Sequence, residues 1–177
     1  MKNRFLILIC IVTAFIGCEE IDKLTQFEME FQEKIVIPSS TGVNLPLDIS
    51  TPDLETNSES TFAVNKTRKD LIEKINLKKL DLILTSPSDS DLSFLESIDI
   101  FISAEGLSET KIAWKENIPD DVGKSLKLDV TDKDLKEYIK KDKFKLRLNT
   151  VTNKILTSDH KIDVNTVFFI DAKIFGL

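Results

Sequence analysis

The sequence predicts a mainly β fold: an antiparallel two-sheet β-sandwich, immunoglobulin-like in the broad sense, with two short helices. Three observations predict it. Apolar and polar residues alternate with a period of two along most of the chain, the pattern of half-buried strands. Turn-forming clusters separate these runs, and only short stretches switch to a helical period. The alternation also argues against a parallel sheet, whose strands read as continuous apolar runs. The alternative is an α+β arrangement, with both helices on one face of an antiparallel sheet.

The first strand is carried by Phe27, Met29, Phe31, Ile35 and Ile37, with Glu28, Glu30 and Lys34 on the other face. Pro38 to Gly42 ends it. Leu45, Leu47 and Ile49 give a second strand, which Pro46 places at a sheet edge because proline cannot donate to a ladder. The polar segment STPDLETNSES that follows reads as a long loop or edge connection. Thr67 with Asp70 resembles a capping pair, and Leu71, Ile72 and Ile75 share a helical face, so a short helix is expected over 67–75.

Leu80, Leu82 and Leu84 begin the next strand, closed by SPSDSD, and Leu92 to Ser97 reads as one helical turn. Ile98, Ile100, Ile102 and Ala104 alternate, then Ile112 with Trp114, then Leu126, Leu128 and Val130. The stretch TDKDLKEYIKKD predicts the second helix. Thr131 is its N-cap, Asp132 and Asp134 lie near its positive end, Lys140 and Lys141 near its negative end, and Leu135, Tyr138 and Ile139 form its buried stripe. Phe144, Leu146 and Leu148 carry a further strand. The last run alternates Ile162, Val164, Phe168, Ile170, Ala172 and Ile174.

The N-terminus has a different character. Lys2 and Arg4 precede twelve uncharged residues, Phe5 to Ile16, the order of a secretory signal. Twelve residues fall short of the roughly 20 that a membrane-spanning helix needs. Cleavage before Cys18 removes Cys10 and leaves Cys18 as the first residue and sole thiol, so no internal disulfide forms. The expected organisation is a signal peptide over 1–17, a lipidated tether over 18–25 and a single β-sandwich domain over 26–177.

The run Phe15-Ile16-Gly17-Cys18 resembles the signal peptidase II lipobox of bacterial lipoproteins, with Phe15 where that family usually has Leu. The resemblance covers residues 1 to about 23. It implies cleavage between Gly17 and Cys18, a diacylglyceryl thioether on Cys18 and an N-acyl chain on its amine. Two or three acyl chains hold a protein on a membrane persistently, where one holds it marginally. Glu19 and Glu20 resemble the acidic export signal of Bacteroidota surface lipoproteins. The implied location is the cell envelope, at the outer membrane or cell surface. For the domain itself no family of known activity is suggested.

Loss of residues 1–17 takes two of the 24 basic residues and none of the 30 acids, leaving 22 against 30 and a net charge of −8. Nucleic acid and anionic head groups are disfavoured partners for such a chain, so attachment to the membrane is expected to be covalent rather than electrostatic.

Catalytic and metal chemistry has thin support. The single histidine, His160, sits in Ser158-Asp159-His160, where neighbouring side chains on an extended chain point apart, and it reads as a solvated turn residue. A cysteine nucleophile is excluded by acylation, and one histidine cannot make the usual zinc ligand sets. The acidic pairs at Asp89 and Asp91, Asp120 and Asp121, and Asp132 and Asp134 lack the spacing of a calcium loop and read as turn and cap residues. No phosphate-cradling glycine loop occurs. No cofactor, metal or catalytic residue is therefore expected.

Phe101, Val167 and Phe169, with Ile83, face away from the main stripe of their strands. Covered central strands explain them most simply; left uncovered, they would form a contact patch for a protein partner or a lipid. The leading expectation is a non-enzymatic binding or interaction module with an envelope protein as partner. A lipid or small-hydrophobe carrier is the alternative, and a carbohydrate-active enzyme with two carboxylates about 5–9.5 Å apart comes third.

Overall fold

The computed structural model describes residues 25–39 and 42–173. Gly17, Cys18, Glu19, Glu20 and Ile174 lie outside the described residues, as does the whole signal segment.

Ten strands and two short helices follow one another among the described residues. They are β1 (Gln26–Ile37), β2 (Pro46–Ser50), β3 (Leu54–Glu55), α1 (Ser58–Val64), β4 (Ile72–Ser86), β5 (Leu95–Ala104), β6 (Thr110–Lys115), β7 (Ser125–Lys127), β8 (Asp129–Val130), α2 (Lys136–Ile139), β9 (Lys143–Thr152) and β10 (His160–Ala172). The first sheet has the order β1-β10-β4-β7, and the second β2-β9-β5-β6-β8 with β3 also on β9. Every pairing is antiparallel. The two-sheet antiparallel sandwich expected from the alternation is what forms.

The strand order specifies its connectivity. β1 pairs with β10, β2 with β9, β4 with β7 and β5 with β6, so first meets last and each later pair nests inside the one before. Eight strands nested in this way over two sheets make a jelly roll. One consequence is that the connections gather at two ends. Residues 38–39 and 42–45, 87–94, 116–124 and 153–159 lie at one end; residues 51–71, 105–109 and 131–142 lie at the other, together with the start of β1.

The inward faces supply the core, which among the described residues runs from Met29 to Ala172. Phe31, Phe144 and Phe168 meet edge to face between the sheets, with ring centroids 5.1 to 6.0 Å apart. Such pairs add about 0.5–1.5 kcal/mol each beyond the area they bury.

β2 and β3 form one interrupted edge beside β9, and the interruption shows how the backbone stays satisfied. Between them the Thr51 amide donates to the Leu146 carbonyl at 2.8 Å, and the Leu146 amide donates to the Thr51 hydroxyl oxygen at 3.0 Å. A side-chain oxygen thus replaces a ladder carbonyl just before Pro52, which has no N–H to offer.

Three local expectations are corrected. The helix expected over 67–75 is a single 3-10 turn, Lys69–Leu71, followed at once by β4. Thr67 does not cap it; its hydroxyl donates to the Lys173 carbonyl at 2.8 Å. The expected turn at Leu92–Ser97 shrinks to one bond from the Leu95 amide to the Leu92 carbonyl, and β5 begins at Leu95. The helix expected from Thr131 is confined to Lys136–Ile139, with Leu135 and Ile139 buried as expected. Its entry is held by Asp134, whose Oδ1 accepts from the amides of Lys136 and Ile75, both at 3.0 Å. Thr131 instead accepts from the Lys133 amide in a tight turn.

Leu126, Leu128 and Val130 prove to be divided between sheets. Leu126 lies in β7 against β4, Val130 lies in β8 against β6, and the Leu128 amide donates to the Leu80 carbonyl where the chain passes from one sheet to the other.

Candidate functional site

The end of the sandwich at which β1 starts carries a cleft of about 650 Å³. Three connections build it: Asp53 and Lys69 from the segment after β2, Ser103 to Glu105 from the end of β5, and Lys140 to Lys145 from the passage between α2 and β9. Thr56, 2% exposed, pins the last of these walls. Its hydroxyl donates to the Lys141 carbonyl at 2.6 Å, and its amide donates to the Asp142 carbonyl at 2.8 Å. Phe144, buried to 1% exposure and stacked edge-on against Phe31, forms the apolar floor.

Five lysines line this cleft, Lys69, Lys140, Lys141, Lys143 and Lys145, against Asp53, Glu105 and Asp142. Most are paired. Lys69 reaches Asp142 at 3.0 Å and Glu59 at 3.8 Å, Lys143 reaches Glu55 at 2.8 Å, Lys145 reaches Asp53 at 3.2 Å and Lys140 reaches Glu137 at 3.9 Å. The hydrogen bond that the Lys143 ammonium donates to Glu55, reinforced by the charge of that carboxylate, holds the ammonium above the usual lysine range. No described carboxylate pairs with the half-buried Lys141. The cleft therefore offers a cluster of cations whose present partners are solvent-exposed, an arrangement suited to binding an anionic group.

The opposite end holds a different constellation. His160 is not a solvated turn residue: it opens β10, is 4% exposed and packs edge-on against Phe94 at 4.5 Å. Its Nδ1 lies 2.8 Å from the Ser158 carbonyl, which can only accept, so Nδ1 carries the proton. Its Nε2 then accepts from the Ser90 hydroxyl at 2.8 Å. Hydroxyl, imidazole and orienting carbonyl stand in the order of a nucleophile, its base and the group that fixes the base. Ser90 is 70 residues from His160 and comes from another loop, so no sequence spacing announces the pair. Asp159, next to His160, is turned away; the Ser39 amide donates to it at 2.9 Å, which keeps its carboxyl below the usual range.

The acidic pairs serve turns and ion pairs: Asp134 accepts from the amides of Lys136 and Ile75, and Asp120 pairs with Lys154 at 3.6 Å. Asp91 accepts from the Ser93 amide at 2.9 Å, and the bonds from Ser93 hold its carboxyl below the ordinary range. Among the described residues no group of three His, Cys, Asp or Glu side chains is placed to hold a metal ion.

The outward apolar residues do not form one patch. Phe101 lies on the outer face of the second sheet, where the Arg147 guanidinium covers its ring at 4.2 Å. Val167 and Phe169 lie on the outer face of the first sheet, half-buried on the central strand β10 between polar and charged neighbours: Glu30 and Lys79 flank Val167, and Glu28 and Asn76 flank Phe169. The ion pair between Lys78 and Glu28 spans the same face. Ile83, 37% exposed, is on that face as well.

No protein-family model and no curated protein matches the chain. Among solved structures it is similar to the empty head of turnip yellow mosaic virus, at 12% identity and a TM-score of 0.30 over 83% of this chain and 80% of the other. It is likewise similar to Desmodium yellow mottle tymovirus, at 10% identity and a TM-score of 0.28 over 85% of each chain. FLHE gives 9% identity and a TM-score of 0.30 over 82% of this chain and 98% of that one. At these TM-scores the likenesses carry no argument, and the fold assignment rests on the strand order itself.

Proposed function

We propose that this chain is an envelope lipoprotein, anchored to the outer membrane or cell surface through acyl chains on Cys18. Its sandwich serves as a non-enzymatic binding module. The observation that carries the reading is the order Lys2 and Arg4, an uncharged run, Gly17 and then Cys18. The cationic cleft between the loops supports binding as the domain's work, because loops held by a rigid sandwich are where recognition residues gather. The partner class is an envelope component, and no cofactor is assigned beyond the acyl chains themselves.

The test of the anchor is metabolic labelling with palmitate. Label that is present in the wild-type chain and absent from Cys18→Ala is expected. Wild-type protein that is cleaved and exported but carries no label overturns the reading.

One specific observation favours a second reading, the chain from Ser90 through His160 to the Ser158 carbonyl, which fits acyl transfer by a serine nucleophile. A fluorophosphonate probe decides between the two. The binding reading expects no covalent adduct on folded protein, whereas labelling at Ser90 that His160→Gln abolishes would establish the second.

A further inference from the structure

The cleft lies at the end of the sandwich where the chain enters from the anchor. Gln26 pairs with Asp171 at the close of β10, and β4 begins beside that point, directly after Lys69. Phe27 rests on Phe62 of α1 with centroids 6.0 Å apart, and Phe31 rests on Phe144 in the floor of the cleft. Seven residues lie between Cys18 and Gln26, which makes eight residue steps. At roughly 3.5 Å per extended step they reach about 28 Å at most. A chain anchored at Cys18 therefore keeps the end of the sandwich that carries the cleft within about 28 Å of the anchor point.

We infer that this cleft takes the phosphate of an anionic lipid head group, with Lys141 as its primary contact and the neighbouring lysines exchanging their carboxylates for it. The inference rests on the anchored reading for its orientation, and it deepens that reading by naming the ligand. The overall negative charge of the chain does not oppose it, because fields are screened within about 8 Å at physiological salt and only the local set acts on a bound phosphate. The competing pairs are weak opponents. Exposed lysine–carboxylate pairs contribute about 0–1 kcal/mol each, and Glu55 and Asp53, the partners of Lys143 and Lys145, are about half exposed. The floor formed by Phe144 and Ala104 fits the glycerol backbone that accompanies such a phosphate.

The experiment uses residues 18–177 with Cys18→Ser, so that association is read without the anchor and the two claims fail separately. Among the described residues the core runs from Met29 to Ala172, within this piece. Sedimentation is compared with vesicles of phosphatidylcholine alone and of phosphatidylcholine containing phosphatidylglycerol. The expected result is association with the second kind only, falling as salt rises. Lys141→Glu should weaken it about 25-fold, since each cation near such a surface is worth roughly a fivefold change and the reversal counts twice. Lys154→Glu, the same charge change at the far end of the sandwich, should leave it within about twofold of wild type by the same distance argument. Circular dichroism checks that each variant is folded. Equal binding to both vesicles, equal loss in both folded variants, or displacement by millimolar glycerol phosphate, which would make a soluble phosphate ester the ligand, each overturns the inference.

Discussion

The Arg147 guanidinium lies 4.2 Å over the ring of Phe101, on the outer face of the second sheet. It also pairs with both Asp48 and Glu109, reaching Glu109 through two nitrogens at 2.9 and 2.6 Å. A planar cation with several donors can cover a ring and serve two carboxylates at once. This one side chain converts an apolar residue that faces outward into one that is half-buried.

Removing it should have two effects. Arg147→Ala is expected to cost about 1 kcal/mol in urea unfolding, the sum of an exposed cation–π contact and partly exposed ion pairs. Arg147→Lys should recover little, having no fork to span both carboxylates. The pH dependence follows from direction. Hydrogen bonding by Arg147 lowers Glu109, and bonding by Asn149, with Arg147 adding to it, lowers Asp48. Carboxylates depressed in the folded state contribute stability above their unfolded values near 4, and that contribution disappears as pH falls through the folded values. Between pH 7 and 3 the wild type should therefore lose more stability than Arg147→Ala.

Asp134 makes the same kind of argument at a backbone site. Burial pushes its carboxyl up, but the amides of Ile75 and Lys136 and the Lys136 ammonium together outweigh burial and hold it below the usual range. Asp134→Ala leaves the buried Ile75 strand amide without its acceptor, and a loss of about 1–2 kcal/mol is expected at pH 7. The difference from wild type should narrow only as pH falls below the ordinary carboxylate range, through the depressed value at which the folded-state carboxyl protonates. A constant difference across that range would show that the carboxylate is not what holds the turn.

Thr51 tests the interrupted edge. Thr51→Val keeps the shape and removes the oxygen that accepts the Leu146 amide. The expected cost is about 1–3 kcal/mol, the range for leaving a buried donor unpaired, with faster hydrogen exchange at Leu146. Thr51→Ser should restore both. Exchange at Leu146 that Thr51→Val leaves unchanged would mean another acceptor serves that amide.

Ser90 separates a structural histidine from a catalytic one. Ser90→Ala leaves Nε2 of a histidine that is 4% exposed without its donor, and about 1–3 kcal/mol should be lost. Thermal unfolding of Ser90→Ala, read beside the fluorophosphonate assay, gives the answer. A variant as stable as wild type would show that His160 does not depend on this bond.

The strands were largely legible because their inward residues keep strict alternation; β10 buries every second residue from His160 to Ala172. The helix expected over 67–75 misled for a definable reason. Ile72 pairs with Ala172 and Lys74 with Asp171, so Glu73 is an extra residue and a bulge. A bulge puts Ile72 and Ile75, three apart, on one face, which is also what a helix does. The same shift at Lys78 places Leu77 and Leu80 together. α1 was illegible because only Phe62 among its apolar residues is buried, leaving no period to read. The passage of Leu128 between sheets keeps the parity of an ordinary strand, so only the pairing reveals it. At the site, the sequence marked Lys140 and Lys141 only as helix-end charges. Their convergence with Lys69 depends on the return of β9 beside β3, a long-range pairing with no local signal.

The most direct measurement on the account is the mass of the N-terminal tryptic peptide, residues 18–23, from protein purified out of membranes. The account predicts a chain that begins at Cys18 and carries a diacylglyceryl thioether and an N-acyl chain. A peptide that begins elsewhere, or an unmodified Cys18, would contradict it.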